Sequence, residues 1–389
     1  MASHLFALLA LLACSGAAAA RRESHVAVDK FCIEATGQLT SLRWDAITSL
    51  SQAVAPISVD ATGAVAPADA ALWAQWSAPL VAAAHGNGST VVLPLHIVSK
   101  PVAAALFASP VNDTLLAAAA AAAAALANSN GYDGVQLDIE GLQVASAAGY
   151  EAFVGAMKRA LDALSARAGR LTALTLSVTV YAPKLVLSDF ATYDVRRLTD
   201  GTLCDFVFLM GYDMGWLEVP PGGAQEAKPN APLDGLIRGL ANAVAAGAAP
   251  ARMVLGLPLY GKLYTCDGTA PARMGNCSCA EKNMQNKKVD LLQAAAAVPG
   301  SGCTSGVDAA TASLVLDCPG GAPIPGFPQP PGQRQQAWFE NHATIAAKMA
   351  LAANGYKGVG FWTADGVQSG GSAEGKATWD AVAEFVAGG

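Results

Sequence analysis

The chain has 389 residues, 53% of them hydrophobic and 14% charged, enough to bury one large core or two modest ones. Lys and Arg number 24 against 30 Asp and Glu, a formal charge of −6, and no Lys/Arg run interleaved with aromatics occurs of the kind a polyanion binder needs. Composition therefore speaks against nucleic acid as a partner.

The opening stretch "MASHLFALLALLACSGAAAARRES" carries an apolar run from Leu5 to Ala13, small residues through Ala20, then Arg21 and Arg22. That pattern predicts a secretory signal over residues 1–20, cleaved near Ala20. Its n-region has no Lys or Arg, and Cys14 in "LLAC" leaves a lipoprotein anchor as a second reading. The apolar segment is short for a membrane span, and the later alanine-rich tracts lack the bulky apolar residues that insertion needs. No membrane partner is expected after cleavage. The expected route is the secretory pathway, towards a lysosome or vacuole or the cell exterior.

Short β-rich runs then recur with helical stretches between them. Two weaker candidates come first, "HVAVDKFCIE" (25–34) and a segment near Ile47 to Val54. Stronger ones follow: "STVVLPLHIV" (89–98), "GVQLDIE" (134–140), "LTLSVTVYAP" (174–183), "CDFVFLMGYD" (204–213), "RMVLGLPLYG" (252–261) and "YKGVGFWTAD" (356–365). Interiors nearly free of charge mark strands buried on both faces. Between them, "VNDTLLAAAAAAAAALANSNG" predicts a helix, with Asp113 or Thr114 capping its start and Gly131 ending it. Nine consecutive alanines, 117–125, also fit low-complexity disorder, but the flanking Leu115, Leu116 and Leu126 favour a thinly packed helix. Strand and helix alternating, with a count near eight, predicts a (β/α)8 TIM barrel over 21–389. No GxGxxG follows the first strand, which disfavours a dinucleotide fold.

From 263 to 336 the alternation breaks into a segment rich in Cys, Gly and Pro, including "PGGAPIPGFPQPPGQ". It lies between the seventh and eighth predicted strands and shows no new periodic set of elements, so it reads as an insertion in the barrel rather than a second domain. Of eight cysteines, seven remain once Cys14 leaves with the signal, and five of these fall between Cys266 and Cys318. This predicts disulfide stapling there, with at least one thiol free or paired outside the chain. "CSC" (277–279) has no CxxC pair or nearby His to complete a zinc site, and no metal or cofactor is expected. Asn87, Asn112 and Asn276 open N-x-S/T acceptor triplets, which matter only in a eukaryotic secretory route.

The stretch "GYDGVQLDIEG" (131–141) carries the chemistry. Side chains on a strand alternate, so Val135, Leu137 and Ile139 share one face and Gln136, Asp138 and Glu140 the other, successive members roughly 6.6 Å apart. In a parallel barrel that second face is the interior, and the strand's C-terminal end is the active-site mouth. Two adjacent acids find no cheap solvation there, which points to function rather than to a solvated strand end.

"YDGVQLDIEG" resembles the signature of glycoside hydrolase family 18, the chitinase family, in which an Asp-Gly pair opens a strand ending Asp-x-Glu. "FVFLMGYD" is similar to the family's Met-x-Tyr-Asp strand, here Met210, Tyr212 and Asp213, and "GVGFWTAD" to its last strand, supplying Trp362. "CDFVFLMGYDM", "ARMVLGLPLYGKLYTC" and "QAWFENHATIAAKMALAANGYKGVGFW" together resemble the chitobiase branch, which trims the chitobiose core of N-glycans. The likeness spans roughly Asp133 to Trp362. Two departures stand out. Gln136 replaces the family's usual middle aspartate, as in that branch, and the Ser-x-Gly-Gly often seen on the third strand is missing from "VVLPLHIVSK".

The resemblance implies substrate-assisted retaining hydrolysis, in which the substrate's own 2-acetamido oxygen attacks C1. It makes Glu140 the general acid, Asp138 the acceptor of the acetamide N–H and Tyr212 a donor to the acetamide oxygen. Asp213, Trp362, Met210, Gln136 and Asp133 make up the substrate-binding set: Asp213 steadies the sugar, Trp362 floors the pyranose, Met210 forms pocket wall, Gln136 lies beside Asp138, and Asp133 supports the carboxylate strand. Trp216 and Trp338 fit subsite walls and packing equally. The expected enzyme is a monomer acting on GlcNAc-β1,4-GlcNAc linkages, releasing reducing-end GlcNAc from N-glycan-derived oligosaccharides. An endo-acting chitinase or endo-β-N-acetylglucosaminidase, or a chitinase-like lectin without turnover, are the alternatives.

Overall fold

A computed structural model describes residues 22–28, 39, 42–97, 99–140, 142–169, 172–181, 192–214, 224–266, 277–280, 284–287, 302–320, 324, 327, 332–364 and 372–388. The signal segment 1–20, Cys14, Cys32, Trp216 and Asn276 lie outside these residues. Eight parallel strands close on themselves: β1 (Glu23–Ala27), β2 (Ser49–Ser51), β3 (Thr90–Ile97), β4 (Gly134–Ile139), β5 (Thr175–Tyr181), β6 (Phe206–Met210), β7 (Met253–Pro258) and β8 (Gly358–Trp362). Each pairs in parallel with its neighbour in sequence, and β8 returns to β1. The predicted (β/α)8 TIM barrel is thus the fold, and the two weak early candidates supply β1 and β2.

The described helices are α1 (Ala70–Gly86), α2 (Lys100–Leu106), α3 (Asp113–Ser129), α4 (Ala147–Arg167), α5 (Val195–Thr199), α6 (Leu233–Ala245), α7 (His342–Met349) and α8 (Ala373–Ala387). The outward strand faces pack on them in one large core: Val135, Leu137 and Ile139 of β4 join Leu116, Ala120 and Ala124 of α3 and Phe153 of α4. The nine-alanine tract is helical, and its short side chains let α3 lie close to the barrel. Its cap is Asn112, one residue ahead of Asp113 and two ahead of Thr114, with the side chain accepting the Leu115 N–H at 3.1 Å. Gly131 follows at φ 81°, as a helix stop requires.

Inside the barrel the strands divide by chemistry. From β1 to β5 the inward residues include His25, Ser51, Gln136, Asp138 and Thr179; from β6 to β8 they are Phe208, Met210 and Trp362. Phe208 fits only because its neighbours on β7 and β8 are glycines. A Cβ at Gly256 would lie 2.5 Å from its ring and one at Gly360 2.3 Å.

After β7 the chain builds an antiparallel sheet of five strands, in the order 284–287, 261–265, 335–339, 313–318, 304–308. The segment holds more regular structure than its composition signalled, because these strands are short and are separated by Cys-, Gly- and Pro-rich turns. Leu263, Leu316, Ala337 and Phe339 form its core, and Cys266–Cys277 and Cys303–Cys318 are disulfides. Cys204 is a buried free thiol. Lys348 of α7 pairs with Glu340, both side chains at most 2% exposed, and donates to Ser313 Oγ at 3.0 Å, tying the sheet to the barrel.

Candidate active site

The C-terminal ends of β4, β6 and β8 bring Gln136, Asp138, Glu140, Met210, Tyr212, Asp213 and Trp362 into one cleft. Alternation along β4 selects its three members, since each inward residue is preceded by an apolar outward one, Val135, Leu137 or Ile139. Asp138 is gripped from both flanking strands. His96 on β3 is its register partner, with Nε2 3.0 Å from Oδ2, and Thr179 on β5 donates to Oδ1 at 2.6 Å. Burial pushes the Asp138 carboxyl up, but the hydrogen bond and charge of His96 and the Thr179 hydroxyl outweigh it and hold the group below the usual carboxylate range.

Glu140, two residues on, is driven the other way. Burial and the nearby Asp138 charge raise its carboxyl above the ordinary glutamate value, although the Tyr181 hydroxyl donates to its Oε2. A pair of acids pushed apart in this manner divides into one that stays ionised and one that keeps a proton.

Gln136 is locked beneath them. Its Oε1 accepts from Ser51 Oγ at 2.6 Å, and its amide nitrogen lies 3.1 Å from His25 Nε2. With the amide as donor, His25 carries its proton on Nδ1, which faces Ser49 Oγ at 2.6 Å, and Ser49 in turn donates to Glu23. Burial pushes His25 down to about 4, so the imidazole is neutral at ordinary pH.

Asp213 closes the opposite wall. Its backbone sits at φ 56°, in the left-handed region that Asp tolerates better than most residues, and its N–H donates to Asn230 Oδ1 at 2.8 Å. The Tyr260 hydroxyl donates to its Oδ1 at 2.7 Å, and Lys262, only 2% exposed, reaches the same oxygen at 2.5 Å. Tyr212 stands edge-on to Tyr260, ring centroids 6.2 Å apart, in an aromatic cluster with Phe206, Phe208 and Met210 against which Tyr181 and Trp362 pack.

Asp133 does not join the cleft. It sits just before β4 at the other end of the strand, where it accepts from His85 Nε2 at 2.8 Å and from the Val91 N–H at 2.9 Å. Its place with the substrate-binding residues is corrected accordingly: it pins β4 to β3 and α1. Trp338 is 4% exposed and packs with Tyr264, Val315 and the Cys266–Cys277 disulfide, so it is packing rather than a subsite wall. His96, Thr179, Tyr181, Tyr260 and Lys262 were not read from the sequence. Tyr181 shares strand parity with Thr179, and His96 stands in the strand where the expected Ser-x-Gly-Gly is missing, which are the signals that could have found them. Among the described residues no group of three or more His, Cys, Asp or Glu is placed to hold a metal ion.

Two carboxylates with opposed environments at the C-terminal mouth of a closed parallel barrel place the protein in the class of barrel glycoside hydrolases. The profile described as "Glycosyl hydrolases family 18" matches residues 103–366, and the chain belongs to that family. Di-N-acetylchitobiase of Mus musculus is 26% identical over 309 residues, covering 76% of this chain and 75% of that protein. The Homo sapiens protein of the same name is 24% identical over 320 residues, covering 79% and 74%. In fold, the chain matches a class V chitinase from Nicotiana tobaccum with a TM-score of 0.73 at 15% identity, covering 92% of this chain and 98% of that one. A chitinase from Chromobacterium violaceum matches with a TM-score of 0.69 at 21% identity, covering 94% and 98%.

Proposed function

We propose that the protein hydrolyses GlcNAc-β1,4-GlcNAc linkages by substrate-assisted retaining catalysis, releasing reducing-end GlcNAc from N-glycan-derived oligosaccharides. The observation that carries this reading is the opposed pair, Asp138 held low and Glu140 held high, two residues apart on one strand face. Glu140 gives its proton to the glycosidic oxygen as the C1–O bond breaks. The acetamide oxygen of the same sugar bonds to C1, giving an oxazolinium, and the leaving sugar departs with the Glu140 proton. Asp138 accepts the acetamide N–H and offsets the ring's positive charge, while Tyr212 donates to the acetamide oxygen. Water then attacks C1, Glu140 takes its proton, and the acetamide is restored with the β configuration retained. Trp362 packs under the apolar face of the pyranose, and Asp213 steadies the sugar from the far wall.

The disulfides and the signal-like opening support a secretory route to a lysosome-like compartment or the exterior. Among the described residues no helix is long and apolar enough to cross a membrane. A chitobiose-ending oligosaccharide tested beside its analogue N-deacetylated on the non-reducing sugar of the chitobiose checks the chemistry. Cleavage of the first alone, with the β-anomer as first product by NMR, is the expected result; equal cleavage of both removes the acetamide from the mechanism.

A further inference from the structure

His96 is a polar group at the site to which the chemistry above gives no role. Its ring and the Asp138 carboxylate are 19% and 12% exposed, so little water competes for their 3.0 Å contact. With Thr179 on the other oxygen at 2.6 Å, each carboxylate oxygen has one donor from a different strand. Each oxygen keeps a second lone pair for a further donor in the cleft. Gln136, the neighbour on the same face, is instead engaged by Ser51 and His25.

We propose that His96 is a positioning residue, whose Nε2–H bond to Asp138 Oδ2 holds the carboxylate in the orientation that receives the substrate's acetamide N–H. The role rests on the glycosidase reading above. Across the cleft, the ionisable groups around Asp138 are Glu140 on its own strand, Tyr181 on β5, and Tyr212 and Asp213 after β6. Tyr150 of α4 and Tyr193 ahead of α5 lie behind it, within electrostatic reach. The tyrosines are all raised above their ordinary value by burial and stay neutral, so His96 alone of these groups can meet Asp138 with a donor that also carries positive charge when protonated.

Two readouts on the full protein test this. In ring NMR, with the His96 Nε2–H signal assigned through its loss in His96→Gln, the Asp138→Asn variant is expected to shift that signal; an unchanged signal overturns the pairing. In kcat/KM profiles on a chitobiose-ending oligosaccharide, His96→Ala is expected to move the acid limb up by about one unit, because Asp138 loses a donor that favours its charged form. His96→Gln, which keeps an N–H near the same place, should reverse most of that shift. An acid limb unmoved in His96→Ala, or a glutamine no better than alanine, overturns the proposal. A His96 signal that responds to Asp138→Asn in a protein whose wild type turns over no GlcNAc oligosaccharide supports the pair and overturns the glycosidase reading instead, whereas turnover with an unresponsive signal overturns the pair alone.

Discussion

Asp138 and Glu140 differ in what surrounds them more than in what they are. Donors from β3 and β5 hold the Asp138 carboxyl below the usual carboxylate range, while burial and the neighbouring charge raise that of Glu140 above its ordinary value. The kcat/KM profile should therefore be a bell, its acid limb set by ionised Asp138 and its basic limb by protonated Glu140. Tyr181→Phe removes the hydroxyl that favours charged Glu140, so the Glu140 carboxyl rises further and the basic limb is expected to move to higher pH; a shift downward contradicts the assignment of that limb. Gln136→Asp places a second carboxylate on the Asp138 face, where like charge raises Asp138 and moves the acid limb up. Profiles identical to wild type sink that expectation. Most of the residues that line the cleft were legible from strand parity and motif order. His96 was not, because a lone histidine in an apolar run reads as core, and only the closed barrel fixes the register that sets it opposite Asp138.

At the scale of elements, strand alternation decides which side of each strand works. β4 presents Val135, Leu137 and Ile139 to the helices and its polar residues to the interior, as its spacing predicts. On β8, Gly360 alternates with Val359 and Phe361 for a packing reason, since the Phe208 ring and the His25 carbonyl occupy the space a Cβ needs. Gly360→Ala is expected to cost about 1–3 kcal/mol of stability by overpacking, measured as a lower urea midpoint at unchanged slope. A midpoint equal to wild type contradicts the tight contact. The sequence could not show this, because a glycine in a strand signals close approach without naming what approaches. The cap of α3 was misplaced by one or two residues for a similar reason, as Asn112, Asp113 and Thr114 are all good caps and only the backbone path chooses among them.

For the molecule as a whole, the five-stranded sheet after β7 completes the cleft as well as decorating the barrel. Its first strand carries Lys262, which together with Tyr260 just ahead of it holds Asp213. The sheet is anchored through Glu340 and Lys348, a pair so buried that either charge alone has no water to turn to. Glu340→Ala should destabilise the protein by about 3–5 kcal/mol in denaturant unfolding, and the apolar pair Glu340→Leu with Lys348→Met by much less. Equal losses would mean that packing rather than charge pairing holds the joint. The barrel was legible because eight strand runs repeat through the chain, whereas the sheet was hidden by short strands whose partners lie far apart in sequence.

The most direct test follows, by mass, the products of wild type and Glu140→Gln from reducing-end-labelled chito-oligosaccharides and a free oligosaccharide ending in chitobiose. The expected result is release of single labelled GlcNAc by the wild type, with turnover in the variant down by about 10²–10⁴-fold and sugar binding retained. Internal cleavage would make the protein an endo-acting chitinase, and binding with no turnover by the wild type would contradict the glycosidase reading outright.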